Sequence, residues 1–495
     1  MNVSESLEEY ICLAGDPDRE AEEVVYDSRK AAPGAVFVCM KGTKTDSHDF
    51  IPQALEAGAS VLVVERGLEE LPGPLPENIT VFQVKSGRRA LAWLSAARFG
   101  YPAGKMTCIG VTGTKGKTTT TYMLKAILEA AGKKVGLIGT AGAVIGDKTW
   151  PTVNTTPESY ELHQYFARMA EAGCQYMIME VSSQGMKMHR VDGIEFDYGI
   201  FTNISRDHIG PDEHESFEEY LYYKSRLLNH CKTGLVNRDD GHFEQIVKDS
   251  TCRLYTYGLE KEADFMASDI RYVSENDFVG LDFLVKGQLN LEVRVNIPGR
   301  FNVYNAMAAV CACSFLDLPE EKVSHALEHM YVNGRMEIVH TSPRCTVIVD
   351  YAHNAVSMES LLTTLRDYHP RRLVCVFGCG GNRSRDRRYS MGEIGGKLAD
   401  LCILTSDNSR YEKPEDIIAD IRGSIEKTGG AYVEIPDRRK AIEYSITHAQ
   451  PGDMIAVIGK GHEDYQEIEG VRYPFLDRQV IEETISKLEQ GEGGV

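Results

Sequence analysis

Lys117 and Thr118 follow two glycines in the run Ile109-Gly-Val-Thr-Gly-Thr-Lys-Gly-Lys-Thr-Thr-Thr120. Glycine lets the backbone approach an anion closely. Lysine supplies charge for the outer phosphates of a nucleotide, and the hydroxyl after it a ligand for Mg²⁺, which is the chemistry of a phosphate-binding loop. Such a loop needs a strand before it and a helix after it. The apolar segment 106–111 reads as a buried strand. Met123, Leu124, Ile127, Leu128 and Ala131 give 118–131 one broad apolar face, which reads as a helix. Amides at the start of that helix point at the anion, and the helix dipole adds to the attraction. The spacing is a variant, because the standard loop has Gly five residues before the Gly-Lys pair and Val111 stands there.

Further along, Tyr176-Met-Ile-Met-Glu180 is an apolar strand that ends in a carboxylate. Such a carboxylate is costly to bury without a cation or donor beside it. Ligands of open α/β sheets bind at the carboxyl ends of strands, so Mg²⁺ is the natural partner, with a structural Lys or Arg as the alternative. Phe201-Thr-Asn-Ile-Ser-Arg-Asp-His208 follows another strand-like run. Ser216-Phe-Glu-Glu219 is a capping box, so a helix starts at Ser216. Phe217, Tyr220, Leu221, Lys224, Leu227 and Leu228 share one face of it. In that apolar stripe Lys224 either snorkels to solvent or stays buried with its pKa lowered and its amine partly neutral. A neutral amine can capture CO₂ as a carbamate, which turns a cation into a metal-binding anion.

Four apolar runs near the C-terminus, 346–350, 373–377, 401–404 and 454–458, each lead into a polar cluster. The clusters are Asp350-Tyr-Ala-His353, Gly378-Cys-Gly-Gly-Asn-Arg383, Ser406-Asp-Asn-Ser-Arg410 and Gly459-Lys-Gly-His-Glu463. Strand ends of one parallel sheet share an edge, so the four are expected to meet there. Gly378-Cys-Gly-Gly381 lacks the Gly-x-Gly-x-x-Gly spacing, so NAD is not expected.

The positioning elements fit a chain of 495 residues, too long for one core and suited to about three domains. At 42% hydrophobic and 26% charged it is globular material. No apolar run is long enough to span a bilayer, and the start lacks the basic flank and apolar stretch of a signal peptide. A cytoplasmic protein is expected, with a monomer as the default. Twelve cysteines without a Cys-x-x-Cys pair fit reduced thiols better than disulfides or zinc. The net charge of −19 argues against bulk binding to nucleic acid or anionic membrane. Residues 1–104 read as a small α/β unit with strands at 36–40 and 60–64, a helix at 52–58 and Asp27-Ser28-Arg29 in a turn. The tail 490–495 is expected to be disordered.

Thr112-Gly-Thr-Lys-Gly-Lys-Thr118, Glu180-Val-Ser-Ser183, Ser205-Arg-Asp-His208 and Tyr223-Lys224, in that order, resemble the Mur ligase superfamily. That superfamily includes the peptidoglycan amino-acid ligases and the folylpolyglutamate synthases. Asp27-Ser28-Arg29 and Gly42-Thr-Lys-Thr-Asp46 look like the uridine-contacting loops of its tripeptide-forming members, a unit that folylpolyglutamate synthases lack. The resemblance implies an α/β fold of three domains. A small N-terminal α/β domain, 1–104, would bind the UDP-substrate. A central P-loop ATPase-type sheet, 105–336, would bind ATP. A C-terminal Rossmann-like doubly wound sheet, 337–495, would bind the amino acid.

The resemblance also implies site residues. Gly113, Thr114, Lys115, Gly116, Lys117, Thr118 and Thr119 would hold ATP, together with Asn302, Asn305, Arg335 and Asp350, the two asparagines reading adenine. Mg²⁺ would sit on Thr118, Glu180, His208 and Lys224, the last as N6-carboxylysine. Lys117, Glu180, His208 and Lys224 would be the catalytic set. Ser28, Thr43, Lys44, Asn154, Thr155, Thr156, Ser182 and Arg190 would hold UDP-muramoyl-dipeptide, with Met188 where relatives often have Gln. Asp407-Asn-Ser-Arg410 resembles the Asp-Asn-Pro-Arg of members that add meso-diaminopimelate, with Ser409 for Pro relaxing the loop. With Arg383, Asp407, Asn408, Gly459 and Glu463, Arg410 would bind the diamino acid, its guanidinium taking the far carboxylate bidentately.

The expected function is therefore ATP-dependent amide formation through an acyl phosphate, adding meso-diaminopimelate to UDP-N-acetylmuramoyl-L-alanyl-D-glutamate in peptidoglycan synthesis. Closure about a hinge near Arg335 is expected to exclude water. The alternatives are L-lysine or another diamino acid as substrate, a folylpolyglutamate synthase-like ligase, or a P-loop ATPase switch.

Overall fold

Short Val/Ile/Leu runs alternate with amphipathic helices along this chain, and such a pattern builds parallel sheets with helices packed on their faces. The computed structural model describes residues 1–42, 45–210, 213–275, 278–332 and 334–492. Its backbone packing separates two units. One is Met1–Met266 with Gly287–Leu289 and Met307–Val323, and the other is Ala267–Lys286 with Asn290–Ala306 and Ser324–Val495.

The first unit holds two sheets. In the smaller, strands lie in the order Ile11–Ala14, Thr80–Gln83, Val61–Val64, Val36–Val38, Val24–Val25, and all but the first pair are parallel. The strands expected at 36–40 and 60–64 are present, and the expected helix runs from Ile51 to Glu56. In the larger sheet Arg253–Gly258, Cys231–Asn237, Phe196–Phe201, Thr107–Thr112, Tyr176–Glu180 and Val135–Gly139 lie side by side in parallel. Both sheets belong to one unit because the helix Gly87–Arg98 packs on the helix Ser159–Glu171. Tyr26 donates to Glu161 across the same seam, at 2.7 Å, and Tyr160 to Glu23 at 2.8 Å.

In the second unit the sheet order is Glu337–Thr341, Cys345–Asp350, Asp453–Ile458, Arg372–Phe377, Leu401–Leu404, Tyr432–Glu434, parallel after the first pair. All four predicted apolar runs are strands of this sheet. Asp350 pairs with Ile458 and Phe377 with Leu404, so their carboxyl ends share one edge. The last helix, Asp477–Glu492, continues into the tail expected to be disordered, and 493–495 lie outside the described residues. All twelve cysteines are free thiols, most of them buried among apolar neighbours. Among the described residues no helix is long and apolar enough to cross a membrane.

His163 lies fully buried in the seam helix, edge-on to Phe166, and among the described residues its ring nitrogens find no well-formed hydrogen bond. Burial outweighs the weak pull of the Asp192 backbone and pushes its pKa from 6.5 down to about 4. The folded state thus favours the neutral ring. Its stability is fully present above pH 6.5 and is lost as pH falls toward 4, because only the unfolded chain takes up the proton. Denaturant titrations at the two pH values should show His163→Leu losing about 3 kcal/mol less than the wild type on acidification. Equal losses would rule the assignment out.

Candidate functional site

The glycine-rich turn sits between the strand Thr107–Thr112 and the helix Lys117–Ala130. Gly113 has φ of 147° and Gly116 φ of 85°, values open to glycine. A Cβ at Gly113 would also collide with the Thr202 hydroxyl. The turn is held from the neighbouring strand end: Lys115 N–H donates to Asn203 Oδ1 at 2.9 Å, and the Thr202 hydroxyl and Asn203 amide donate to the Lys115 carbonyl. Lys117 Nζ donates to the carbonyls of Gly113, at 2.8 Å, and Thr114, at 3.2 Å. Thr119 is half-buried in the first helical turn, and Lys115 is exposed, 3.7 Å from Asp207.

Glu180 ends its strand at 1% exposure. Its carboxylate accepts from the Thr118 hydroxyl at 2.9 Å, the Thr140 N–H at 3.0 Å and the Thr140 hydroxyl at 3.2 Å. These donors are neutral, and no ion pair reaches Glu180 among the described residues. Around the same strand end the buried Thr156 donates to the Glu180 carbonyl, accepts from Ser182 N–H, and has its own carbonyl taken by Arg190 at 3.0 Å. Thr155 bonds Thr140 at 3.1 Å, and Asn154 is exposed next to it. The structure therefore gathers Thr155, Thr156, Ser182, Arg190 and Glu180 into one cluster. Ser28 lies elsewhere, buried and donating to Gln53, while Asp27 caps the short helix Ser28–Lys30 and pairs with Arg29. Thr43 and Lys44 lie outside the described residues.

Lys224 does not snorkel. It is 2% exposed in the helix Phe217–Ser225, and its Nζ donates to the Gly113 carbonyl at 2.9 Å, the same oxygen that Lys117 takes. Burial first, and the charge of Lys117 second, hold the Lys224 amine well below the ordinary lysine pKa. Its Nζ lies 4.8 Å from the centre of the Tyr220 ring. The Tyr220 hydroxyl is hydrogen-bonded to Thr114 Oγ1 at 3.0 Å, and the ring of His208 lies 6.0 Å away on Tyr220. His208 itself is half-exposed, with Nδ1 2.8 Å from Glu213 Oε1. The predicted capping box is half formed. Ser216 Oγ accepts from Glu219 N–H, but the Glu219 carboxylate accepts from Glu215 N–H and pairs with Lys187 instead of closing on Ser216. Among the described residues no three His, Cys, Asp or Glu side chains converge as a metal site.

In the second unit the four strand-end clusters meet. Asn408 Nδ2 donates to Glu463 Oε2 at 2.9 Å, and Tyr351 hydroxyl to Glu463 Oε1 at 3.4 Å. Arg410 NH1 donates to the Gly381 carbonyl at 2.8 Å, and Arg410 Nε lies 3.7 Å from Glu467 Oε2. Gly459, with φ of 114°, leaves room for the Asp407 carboxylate. Arg383 is exposed beside Gly380. Asp350 accepts from the N–H groups of Met336 and Ala352, and burial raises its pKa. The Arg335 guanidinium stacks 5.0 Å from the Tyr351 ring centre. Asn302 and Asn305 share one face of the helix Phe301–Ser314 as predicted, but they bond each other at 2.8 Å, and Asn302 also donates to Pro298 carbonyl.

Sequence reasoning missed Tyr220 and Thr140. In the periodicity Tyr220 reads as one more apolar stripe residue. Thr140 follows the strand Val135–Gly139, and the strand-end rule that found Glu180 applies to it equally.

Three family models match the chain: the Mur ligase family catalytic domain over 20–99, the Mur ligase middle domain over 111–313 and the Mur ligase glutamate ligase domain over 334–461. The UDP-N-acetylmuramoyl-L-alanyl-D-glutamate--2,6-diaminopimelate ligase of Caldanaerobacter subterraneus subsp. tengcongensis is 42% identical over 97% of this chain and 97% of its own. The ligase of the same name from Clostridium perfringens is 39% identical over 96% of each. A solved structure of a ligase with that name is 29% identical and superposes with a TM-score of 0.75 over 96% of this chain and 97% of that one. A MurF ligase from Thermotoga maritima in complex with ADP shares the fold at 18% identity, with a TM-score of 0.58 over 95% of this chain and 98% of that one. The folylpolyglutamate synthase of Mycobacterium tuberculosis reaches 0.57 at 16% identity, over 74% of this chain and 91% of its own.

Tyr220→Phe removes one buried hydroxyl that steadies Thr114 in the phosphate loop. It should lower stability by about 1 kcal/mol in a denaturant titration and weaken nucleoside triphosphate binding in calorimetry. Unchanged binding would show that the loop does not depend on this bond.

Proposed function

The chain belongs to the Mur ligase family, and we propose that it is an ATP-dependent ligase adding meso-diaminopimelate to UDP-N-acetylmuramoyl-L-alanyl-D-glutamate in peptidoglycan synthesis. The observation that carries this function is the likeness, over nearly the whole of both chains, to ligases of that name. A folylpolyglutamate synthase is disfavoured, since that likeness leaves out about a quarter of this chain, and the Asp27-Ser28-Arg29 unit has no use there. We place the functional divisions at 1–104 for the UDP-substrate, 105–336 for ATP and 337–495 for the amino acid. The protein works in the cytoplasm as a monomer, and its net charge of −19 suits it to small-molecule partners.

The chemistry follows from what a carboxylate and an amine require. They do not form an amide at neutral pH, so the γ-phosphoryl group of ATP must first pass to the carboxylate, leaving ADP. That transfer asks for positioning and charge neutralisation more than covalent help. Lys117 supplies a cation at the loop, and the amides of Lys117, Thr118 and Thr119 at the helix start face the phosphates. Asn302, Asn305, Arg335 and Asp350 complete the ATP set. Thr155, Thr156, Ser182 and Arg190, clustered beside Glu180, hold the UDP-substrate together with Asn154, Ser28, Thr43 and Lys44. The amine then attacks the acyl phosphate, and the tetrahedral intermediate collapses to amide and phosphate.

The residues present fit Mg²⁺. Glu180 is a buried carboxylate whose donors among the described residues are all neutral, and the Thr118 hydroxyl adjoins it, a hard-oxygen set of the kind Mg²⁺ takes. Glu180 and Thr118 would hold one ion, and His208 with Lys224 as N6-carboxylysine a second. Bound there, Mg²⁺ supplies the neutralisation that lets a carboxylate approach a triphosphate. The desolvated amine of Lys224 suits carbamate formation, because a nucleophilic amine must be unprotonated to take up CO₂.

On the amino-acid side Arg410 takes the far carboxylate of diaminopimelate, a group that L-lysine lacks. Arg383, Asp407, Asn408, Gly459 and Glu463 complete that site.

Release of ADP should require ATP, UDP-muramoyl-dipeptide and meso-diaminopimelate together. L-Lysine serving equally well would refute the amino-acid assignment, and turnover without either co-substrate would favour an ATPase switch. Arg410→Ala should raise the diaminopimelate KM by about 30-fold or more while the ATP KM stays in place. With ¹³C-bicarbonate, carbon NMR should show a carbamate that Lys224→Met lacks; identical spectra would remove the modified lysine from the mechanism.

A further inference from the structure

Lys460 is a lysine with no exposed surface whose amine the proposed function leaves without a role. Its Nζ donates to Asn408 Oδ1 at 3.1 Å and to Glu463 Oε2 at 3.1 Å, and it lies 5.2 Å from the Tyr465 ring centre. Asn408 and Glu463 are two of the residues that, on that proposal, touch the amino acid.

The pattern of donors decides what those residues can offer. Asn408 Oδ1 already accepts twice, from Lys460 and from Glu467 N–H at 2.9 Å. A flipped amide would turn its NH₂ against both donors, so the orientation is locked. Nδ2 spends one hydrogen on Glu463 Oε2 and keeps the other. Glu463 Oε2 is likewise filled twice, by Asn408 and Lys460, whereas among the described residues Oε1 has only the long contact to Tyr351 at 3.4 Å. The site therefore presents one N–H donor from Asn408 next to one carboxylate oxygen from Glu463. A donor beside an anionic acceptor matches the carboxylate and ammonium on one carbon of an amino-acid head. A bare ammonium, as at the far end of L-lysine, uses the acceptor alone.

We propose that Lys460 is a positioning residue that fixes the Asn408 amide orientation and the available oxygen of Glu463, and so sets the site's selectivity for a zwitterionic amino-acid head. This rests on the function proposed above. Lys460→Met keeps the aliphatic stem and removes the charge and the donors.

The test measures ADP release by the wild type and Lys460→Met with meso-diaminopimelate and with L-lysine. The variant should raise the diaminopimelate KM by about 10- to 100-fold, leave the ATP KM unchanged, and lower the ratio of kcat/KM between diaminopimelate and L-lysine. A merely structural role would move both KM values together and leave that ratio alone, which would overturn the proposal, as would an unchanged diaminopimelate KM. Side-chain amide NMR supplies a readout that needs no turnover. The Asn408 NH₂ pair should be resolved and slowly exchanging in the wild type and averaged in Lys460→Met, and identical spectra would also overturn it. A wild type that ignores diaminopimelate while the Asn408 spectra differ would instead sink the proposed substrate and leave the positioning role standing.

Discussion

Two amines share one carbonyl oxygen in the first unit. Lys117 and Lys224 both donate to Gly113 O, at 2.8 and 2.9 Å. Two ammonium groups that close repel strongly where water is excluded, and Lys224 is the one that water does not reach. Burial, more than the neighbouring charge of Lys117, therefore holds the Lys224 amine well below the ordinary lysine range. The rest of the site follows from that pairing. The carbonyl points where it does because Gly113 adopts a φ that a side chain would obstruct, and because the Thr202 hydroxyl fills the space. The apolar stripe of the helix Phe217–Ser225 keeps water away, and Tyr220 both covers the amine and ties itself to the loop through Thr114.

A different device steadies the strand-end edge of the second unit. Arg438 and Asp477 form a bidentate pair with no exposed surface, at 2.7 and 2.6 Å. The same guanidinium donates to the carbonyl of Ile458, at 3.1 Å, and to that of Ser406, at 3.3 Å. These carbonyls directly precede Gly459 and Asp407. One buried cation thus ties together the departure points of two loops from two different strands. A buried pair of this kind adds little net stability over an apolar pair, but it fixes where the loops begin.

The strands were legible because their apolar runs are short, uninterrupted and followed by polar clusters. The meeting of the four C-terminal clusters followed from topology alone, since parallel strands put their ends on one edge. Side-chain partners were less legible. A stripe residue such as Tyr220 counts as apolar in any periodicity, yet its hydroxyl carries the contact to Thr114. Whether Lys224 snorkels depends on what covers the helix, which lies far away in sequence. Asn302 and Asn305 have the spacing of a shared face, but spacing does not say that the two would bond each other. The half-formed capping box has a similar cause: Glu219 finds Lys187, 32 positions earlier, and the ion pair draws it from Ser216.

Ser409 stands where the motif it resembles has proline, and a proline there would stiffen the loop through its own backbone. The structure supplies stiffness from outside. Arg410 N–H donates to the Glu467 carbonyl at 3.0 Å, and Glu467 N–H returns to Asn408 Oδ1. Gln466 donates to the Asp407 carbonyl at 3.1 Å and to Ser406 Oγ at 2.8 Å. The loop is in effect paired with the first strand of the hairpin Tyr465–Ile468 and Val471–Pro474. Arg410 is thereby held at a φ of 51°, a left-handed conformation unfavourable for arginine in a loose loop. Ser409 is nearly fully buried, and its carbonyl accepts from Glu412 N–H at 3.0 Å. Loss of the proline therefore removes a local constraint that the hairpin already provides, and the guanidinium keeps a fixed aim with serine in that place.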